Sequence, residues 1–174
     1  TLSKFFAGVQ DVSANPTGLP ERSGLISEAK NLASVFNNLG ESLFQIQQNL
    51  DATIAVEVTK INSLTEEIAA LNKAIHANEP TTFSANDLRD KRDLKVKELS
   101  ELIDLNFVDE QDGQISLTFG DGTPLVLQST AFTLDTTING NNKSFKDIVV
   151  QDPSGNSTNI TSSISGGALK GYLD

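Results

Sequence analysis

Asp87, Asp90 and Asp93 are the residues whose type and spacing come nearest to chemistry. Carboxylates three positions apart could hold a divalent cation or share a proton, provided that they converge. On a helix they do not. At about 100° per residue, each step of three turns the side chain by about −60°, so the three carboxylates do not meet at one point. They are also interleaved with Arg89, Lys91 and Arg92. Eleven of the nineteen residues in "NDLRDKRDLKVKELSELID" (residues 86–104) are charged, and the signs alternate, as on a solvated helix face rather than in a catalytic cluster. Asp87 with Lys91, Arg89 with Asp93, Asp93 with Lys97, and Lys97 with Glu101 stand at i,i+4, each pair contributing about 0.2–0.5 kcal/mol. Asp87→Asn is accordingly expected to lower stability only slightly.

The remaining candidates are weaker. His76 is the single histidine and falls in the last turns of a helical pattern, where a partial positive charge is favoured. A lone His in a chain with no Cys does not make a zinc site. "DPSGNSTNITSS" from Asp152 has oxygen-bearing side chains at its first, third and fifth positions, but Ser163 stands where a calcium loop needs Glu. Asn142, Asn156 and Asn159 begin N-x-[ST] triplets, which arise easily in an Asn/Ser/Thr-rich stretch. Gly167 and Gly171 form a GxxxG in a segment that is not membrane-like, and read as the entry to a helix. With no thiol, one imidazole and no phosphate-cradling loop, the chain is expected to have no catalytic residues, no metal and no cofactor.

The elements that carry these residues are mostly helical. Leu2, Phe5, Phe6, Val9 and Val12 recur at helical spacing, predicting a helix over about 1–13. "SANPTGLPERS" interrupts it. A long helix is expected over about 23–77. Its apolar positions Leu25, Ala29, Leu32, Phe36, Leu39, Leu43, Ile46 and Leu50 step by four and three, a heptad repeat. Ile54 follows by another four, a stutter, and Ile61, Leu64, Ile68, Leu71 and Ile75 resume the pattern. So long a seam needs partner helices, from this chain or others. An aspartate at Ile46 or Leu71 is expected to unfold the helical part by placing a charge in a core. "HANEPTTFS" connects to a third helix over about 85–104, with Ser84 and Asp87 resembling a capping box. Leu88, Arg92, Val96, Leu99 and Ile103 form its inward stripe, with Leu102 beside it.

After residue 104 the composition changes. Lys and Arg nearly vanish, and Thr, Ser, Asn and Gly take over. "FVDEQDGQISLTF" reads as a hairpin turning at Asp112-Gly113, with Ile115, Leu117 and Phe119 alternating with polar residues. "LVLQSTAFTL", "FKDIVVQD" and "STNITSSI" read as further strands. The fold class is therefore α+β: a long, coiled-coil-like helical bundle (1–104) carrying a small antiparallel β domain (105–165), with a returning helix starting at 166–174. A length of 174 residues suits one domain or two small ones, and an apolar content of 37% permits a core without making it generous. The formal net charge of −10 argues against a nucleic-acid partner and against an anionic membrane surface. No apolar run is long enough to span a bilayer. The chain opens at Thr1 in what reads as the middle of an amphipathic helix, and is expected to be an internal fragment.

"FFAGVQDVSANPTGLPERS", "INSLTEEIAALNKAI", "NDLRDKRDLKVKELSELID" and "GGALKGYLD" together resemble the bacterial flagellar hook-associated proteins of the first junction layer between hook and filament. The resemblance covers nearly the whole chain in order. Its most specific block contains Asn86, Asp87, Leu88, Asp90, Arg92, Asp93, Glu98, Leu99, Ser100, Leu102 and Asp104, and Asn15, Pro16 and Arg22 match in the first loop. Gly24 departs from it, since helix-favouring residues are usual there; Gly costs about 1 kcal/mol relative to Ala. The resemblance implies a structural, non-catalytic subunit of the flagellum, exported through the flagellar secretion apparatus without a cleaved signal and placed outside the cell. It implies as partners neighbouring copies in a ring, the hook protein, the second junction protein and an export chaperone for the full-length protein. Asp90, Arg92 and Asp93 are expected to make buried or turn-fixing contacts. Leu88, Leu99, Ile46, Leu50, Ile61, Ile68 and Leu71 are expected to pack the helices. Two alternatives remain: a soluble coiled-coil adaptor or adhesin-like module whose β domain binds a ligand, and another flagellin-like axial protein.

Overall fold

A computed structural model describes residues 1–78, 84–110, 112–141 and 145–174. The connection holding Pro80, the Ser84 side chain of the expected capping box and the Asn142 triplet lie outside the described residues. The chain forms two compact units, Thr1–Gln48 and Asn49–Asp174. The expected change at 104/105 is one from helix to strand inside the second unit.

The first unit contains helix α1 (Leu2–Ala14) and the opening of α2 (Leu19–Asn78). The α2 helix is uninterrupted through Gly24 and Gly40, and no neighbour lies within 4 Å of where a side chain would stand at either glycine. The two helices meet where Gly8 faces Leu25: a Cβ at Gly8 would be 3.5 Å from the Leu25 backbone. The Asn15 amide donates to Glu21 Oε1 at 3.2 Å across the Pro/Gly loop. No side chain of this unit is fully buried. Two helices alone have no third element to cover an apolar seam. Val35, Phe36, Leu39 and Leu43 are exposed, and Ile46 is 54% exposed. This corrects the expectation of a buried seam at Ile46. Ile46→Asp is now expected to move the urea midpoint of this chain by less than about 0.5 kcal/mol equivalent, the range of ordinary surface changes. A clear loss of helical dichroism would contradict that.

Among its described residues, the second unit holds the remainder of α2, helix α3 (Ser84–Leu102), seven short strands and a closing helix, α4 (Gly167–Leu173). Strands β1 (Asn106–Asp109), β2 (Ile115–Thr118), β3 (Pro124–Leu127) and β4 (Thr130–Ala131) form an antiparallel sheet in that order. Strands β5 (Thr133–Ile138), β6 (Lys146–Gln151) and β7 (Ser157–Asn159) form a second. The expected hairpin is present, with Asp109 opposite Ile115 and Gly113 in the left-handed region at φ 76°. "LVLQSTAFTL", read as one strand, is three: the chain reverses at Gln128, where φ is 53°, and continues as β4 and β5.

Among the described residues, most of the buried apolar side chains of the second unit form one cluster. Ile54, Val58, Ile61, Leu64 and Ile68 of α2 meet Leu99 and Leu102 of α3, with Ile103 just beyond its end. Leu117, Leu125, Leu134 and Ile148 of the strands, Phe119 and Ile160 just past β2 and β7, and Leu169 of α4 close it. The buried positions of α2 also include Thr65 and Asn72. Steps of three and four from 54 through 58, 61, 65, 68, 72 and 75 are a heptad, so polar residues occupy two places on the inward face.

Candidate functional site

A carboxamide on the inward face of a helix must find partners, because an unpaired buried amide is costly. Asn72 finds them in the strands. Its Nδ2 donates to the carbonyls of Ile115, at 2.7 Å, and Gln128, at 2.5 Å. Its Oδ1 accepts the Ile115 amide at 3.2 Å and Arg92 Nη1 at 3.4 Å. All four hydrogen-bonding positions of the side-chain amide are then used.

Arg92 reaches this centre from α3. It is buried, and its Nη1 donates to the Gly113 carbonyl at 2.8 Å, so the guanidinium holds the β1–β2 turn. Asp93 Oδ1 lies 3.4 Å from Arg92 Nε and is largely exposed. One side chain thus ties α3, α2 and the hairpin together. Arg92→Met keeps the stem but strips the charged donor from a buried carbonyl. Hydrogen bonds to charged groups contribute about 1.5–3 kcal/mol, and a loss of that size in urea unfolding is expected. Arg92→Lys should recover only part of it, because an ammonium lacks the planar fork.

Farther back on α2, Asn62 Nδ2 donates to the Leu134 carbonyl and Asn62 Oδ1 accepts the Leu134 amide, both at 2.8 Å. Asp51 Oδ1 accepts the Lys146 amide at 2.8 Å. Lys95 of α3 pairs with Glu67 of α2 at 3.1 Å and with Glu98 at 3.3 Å. Hydrogen bonding to Glu67, then to Glu98, holds the Lys95 ammonium above its ordinary value. At the other end of the unit, Asp104 receives the Ser165 hydroxyl at 2.6 Å and the Ser165 and Gly166 amides at 3.2 Å, fixing the approach to α4.

The expected site residues are distributed as follows. Ile61, Ile68 and Leu99 are fully buried in the one core. Leu50, Leu71 and Leu88 are half-buried. Arg92 is buried, whereas Asp90 and Asp93 are exposed. Asp87 is exposed as well. His76 lies in the last turn of α2, with Nδ1 3.3 Å from Asp112 Oδ2. The Asp152 carboxylate accepts the Ser154 and Asn156 amides and the Asn156 side chain, a closed local turn. The Asn156 side chain, then its backbone amide, hold that carboxyl below its ordinary range. The Ser163 hydroxyl does the same, in first place, for Asp121. Among the described residues no three His, Cys, Asp or Glu side chains are grouped to hold a metal. None of their helices is long and apolar enough to cross a membrane.

Asn72 and Asn62 escaped the reading of the sequence, which followed apolar side chains from Leu64 to Leu71. For Asn72 the signal was the continued heptad at 58, 61, 65, 68, 72 and 75, visible only if Thr and Asn are allowed on a buried face; Asn62 stands off that series, half-buried beside Ile61, and had no such signal.

The family described as "Flagellar hook-associated protein FlgK helical domain" matches residues 1–174. Flagellar hook-associated protein 1 of Bacillus subtilis (strain 168) is 31% identical over 166 residues, covering 94% of this chain and 32% of the relative. The protein of the same name from Salmonella typhimurium (strain LT2) is 30% identical over 133 residues, covering 75% of this chain and 24% of the relative. The solved structure of the flagellar hook junction protein FlgK from Burkholderia pseudomallei superposes with a TM-score of 0.86 at 31% identity, over 99% of this chain and 31% of that one. The chain therefore spans about a quarter to a third of the length of these relatives. With a family match along its full length and an α+β fold shared with a solved member, the chain belongs to the flagellar hook-associated protein FlgK helical-domain family.

Proposed function

We propose that this chain serves as a structural part of the junction between flagellar hook and filament, without catalysis. The observation that carries the reading is the agreement of fold and sequence over the entire chain with proteins named for that place. The site supports it in kind: the Asn62, Asn72 and Arg92 side chains of the second unit are committed to hydrogen bonds with strands and turns, which is the arrangement of a scaffold. On this reading the division into helical segment 1–104, β segment 105–165 and returning helix 166–174 is one of roles, with the helices facing the axis of the assembly and the strands projecting from it.

The partners follow from the same reading: neighbouring copies in a ring, the hook protein, the second junction protein and, for the full-length protein, an export chaperone. The protein stands outside the cell, delivered by the flagellar secretion apparatus without a cleaved signal. The exposed stripe of Val35, Phe36, Leu39, Leu43 and Ile46 supports assembly through the first unit. The test is replacement. The matching segment of the Bacillus subtilis protein is exchanged for this chain, and cells lacking their own copy are scored for attached filaments and swimming. Restored filaments are expected. A chimera that is exported and stable yet leaves filament protein shed into the medium would overturn the reading, and would favour a ligand-binding module.

A further inference from the structure

We propose that Asn62 and Asn72 form a register device, two surrogate strand residues on α2 that fix the strands at one axial position on the helix. Each carboxamide does what a neighbouring peptide group would do. Asn62 exchanges both hydrogen bonds with Leu134 of β5, at 2.8 Å each. β5 is an edge of its sheet, so this pairing completes a ladder that no strand of its own sheet completes. Asn72 exchanges both hydrogen bonds with Ile115 of β2 and takes the Gln128 carbonyl besides. It stands where β3 has ended and the backbone reverses at Gln128, so it replaces the strand that has just turned away.

The spacing makes the device selective. The two residues are ten apart, about 15 Å along the helix. One turn earlier on α2 stand Val58 and Ile68; one turn later stand Glu66 and His76. A shift of the strands by one helical turn would set two apolar side chains, or a carboxylate and an imidazole, against peptide groups that need both a donor and an acceptor. The apolar face of α2 repeats every three to four residues and tolerates such a shift far better. Apolar packing therefore supplies adhesion while the two amides supply position, the same division of labour by which one buried Asn sets the register of a coiled coil. The device stands whether or not the chain serves at the junction.

The experiment is residue-resolved amide hydrogen exchange by NMR on this chain. The variants are Asn62→Leu, Asn72→Leu, the double variant, and Val58→Ala as a control that weakens the core without touching either amide. Exchange at Leu134 is expected to rise about tenfold in Asn62→Leu, beyond any rise common to all amides, with Ile115 unaffected; Asn72→Leu should do the reverse. In the double variant, a second set of amide resonances from β2 and β5 is expected, reporting strands shifted along α2. If the double variant does not fold, the two single variants decide the matter. A uniform rise at all amides, matching Val58→Ala, would reduce both residues to ordinary contributors to stability and overturn the proposal. So would a double variant with one set of resonances and wild-type protection at Leu134 and Ile115.

Discussion

Aspartate in place of Ile68 should leave the second unit unfolded at neutral pH. Ile68 has no exposed surface and lies at the centre of the α2 face, in one cluster with Leu99, Ile103 and the strands. Truncating such a residue costs roughly 2–5 kcal/mol in lost transfer and packing. The carboxylate then adds several kcal/mol more, because Ile68 belongs to a cluster of apolar side chains and a buried charge without a partner is costly. Domain stabilities run at about 5–15 kcal/mol, so the sum removes most or all of it. The expected observation is loss of strand signals in dichroism and no cooperative urea transition for this unit. Ile68→Leu, which conserves volume, should cost less than about 1.5 kcal/mol. Desolvation raises the pKa of a buried carboxyl, so the variant's deficit should shrink on acidification, as the neutral form becomes the ground state. A variant as stable as the wild type would show that this face of α2 is not a core.

The second large effect is expected from Gly167→Val. Gly167 opens α4 with φ at +78°, a region that β-branched residues scarcely enter. A Cβ there would also fall 2.4 Å from the carbonyl carbon and oxygen of Leu102 and 2.5 Å from the Ile103 nitrogen. These are backbone atoms at the end of α3, and they cannot rotate aside. Backbone strain of about 1–3 kcal/mol and an overpacking term of similar size should together release α4. Leu169, fully buried in the common core, would leave with it. The check is a urea midpoint lowered by roughly 3 kcal/mol or more, together with new protease cleavage after residue 166. Gly167→Ala should show the same change at smaller amplitude. Gly171 has no neighbour within 4 Å of its Cβ position, and alanine there should be harmless. The GxxxG spacing is thus incidental, and only its first glycine is required.

Legibility differed by element, for physical reasons. The helices and the hairpin at Asp112-Gly113 could be read because periodicity and turn chemistry are local. Leu99, Ile61 and Ile68 could be read as core because apolar residues at helical spacing must be covered. Ile46 could not, since the same heptad letters describe a covered seam and an uncovered one, and only the number of helices in the unit decides. Asn72 and Asn62 were hidden for the opposite reason. An asparagine is polar in every scale, and its burial becomes favourable only when strands from far along the chain present peptide groups to it. Arg92 was singled out by the family resemblance, and its partner, the Gly113 carbonyl, lies twenty-one residues away at a turn that the sequence does reveal. The split of "LVLQSTAFTL" at Gln128 carried no glycine or proline to announce it.

Three of the side chains that α2 offers to the strands also set an order of events in folding. Asn72 meets Ile115 across 43 residues, Asn62 meets Leu134 across 72, and Asp51 meets Lys146 across 95. The loops are nested, so closing the shortest one shrinks the next to less than half its nominal length. The same holds for the third once the second has closed. Since the entropy of closure rises with loop length, the least costly route begins where α3 packs on the end of α2 and zips outward, strand by strand, back along the helix. Because α2 precedes every strand in the sequence, each of these side chains is already fixed on its helix when the strand that needs it arrives.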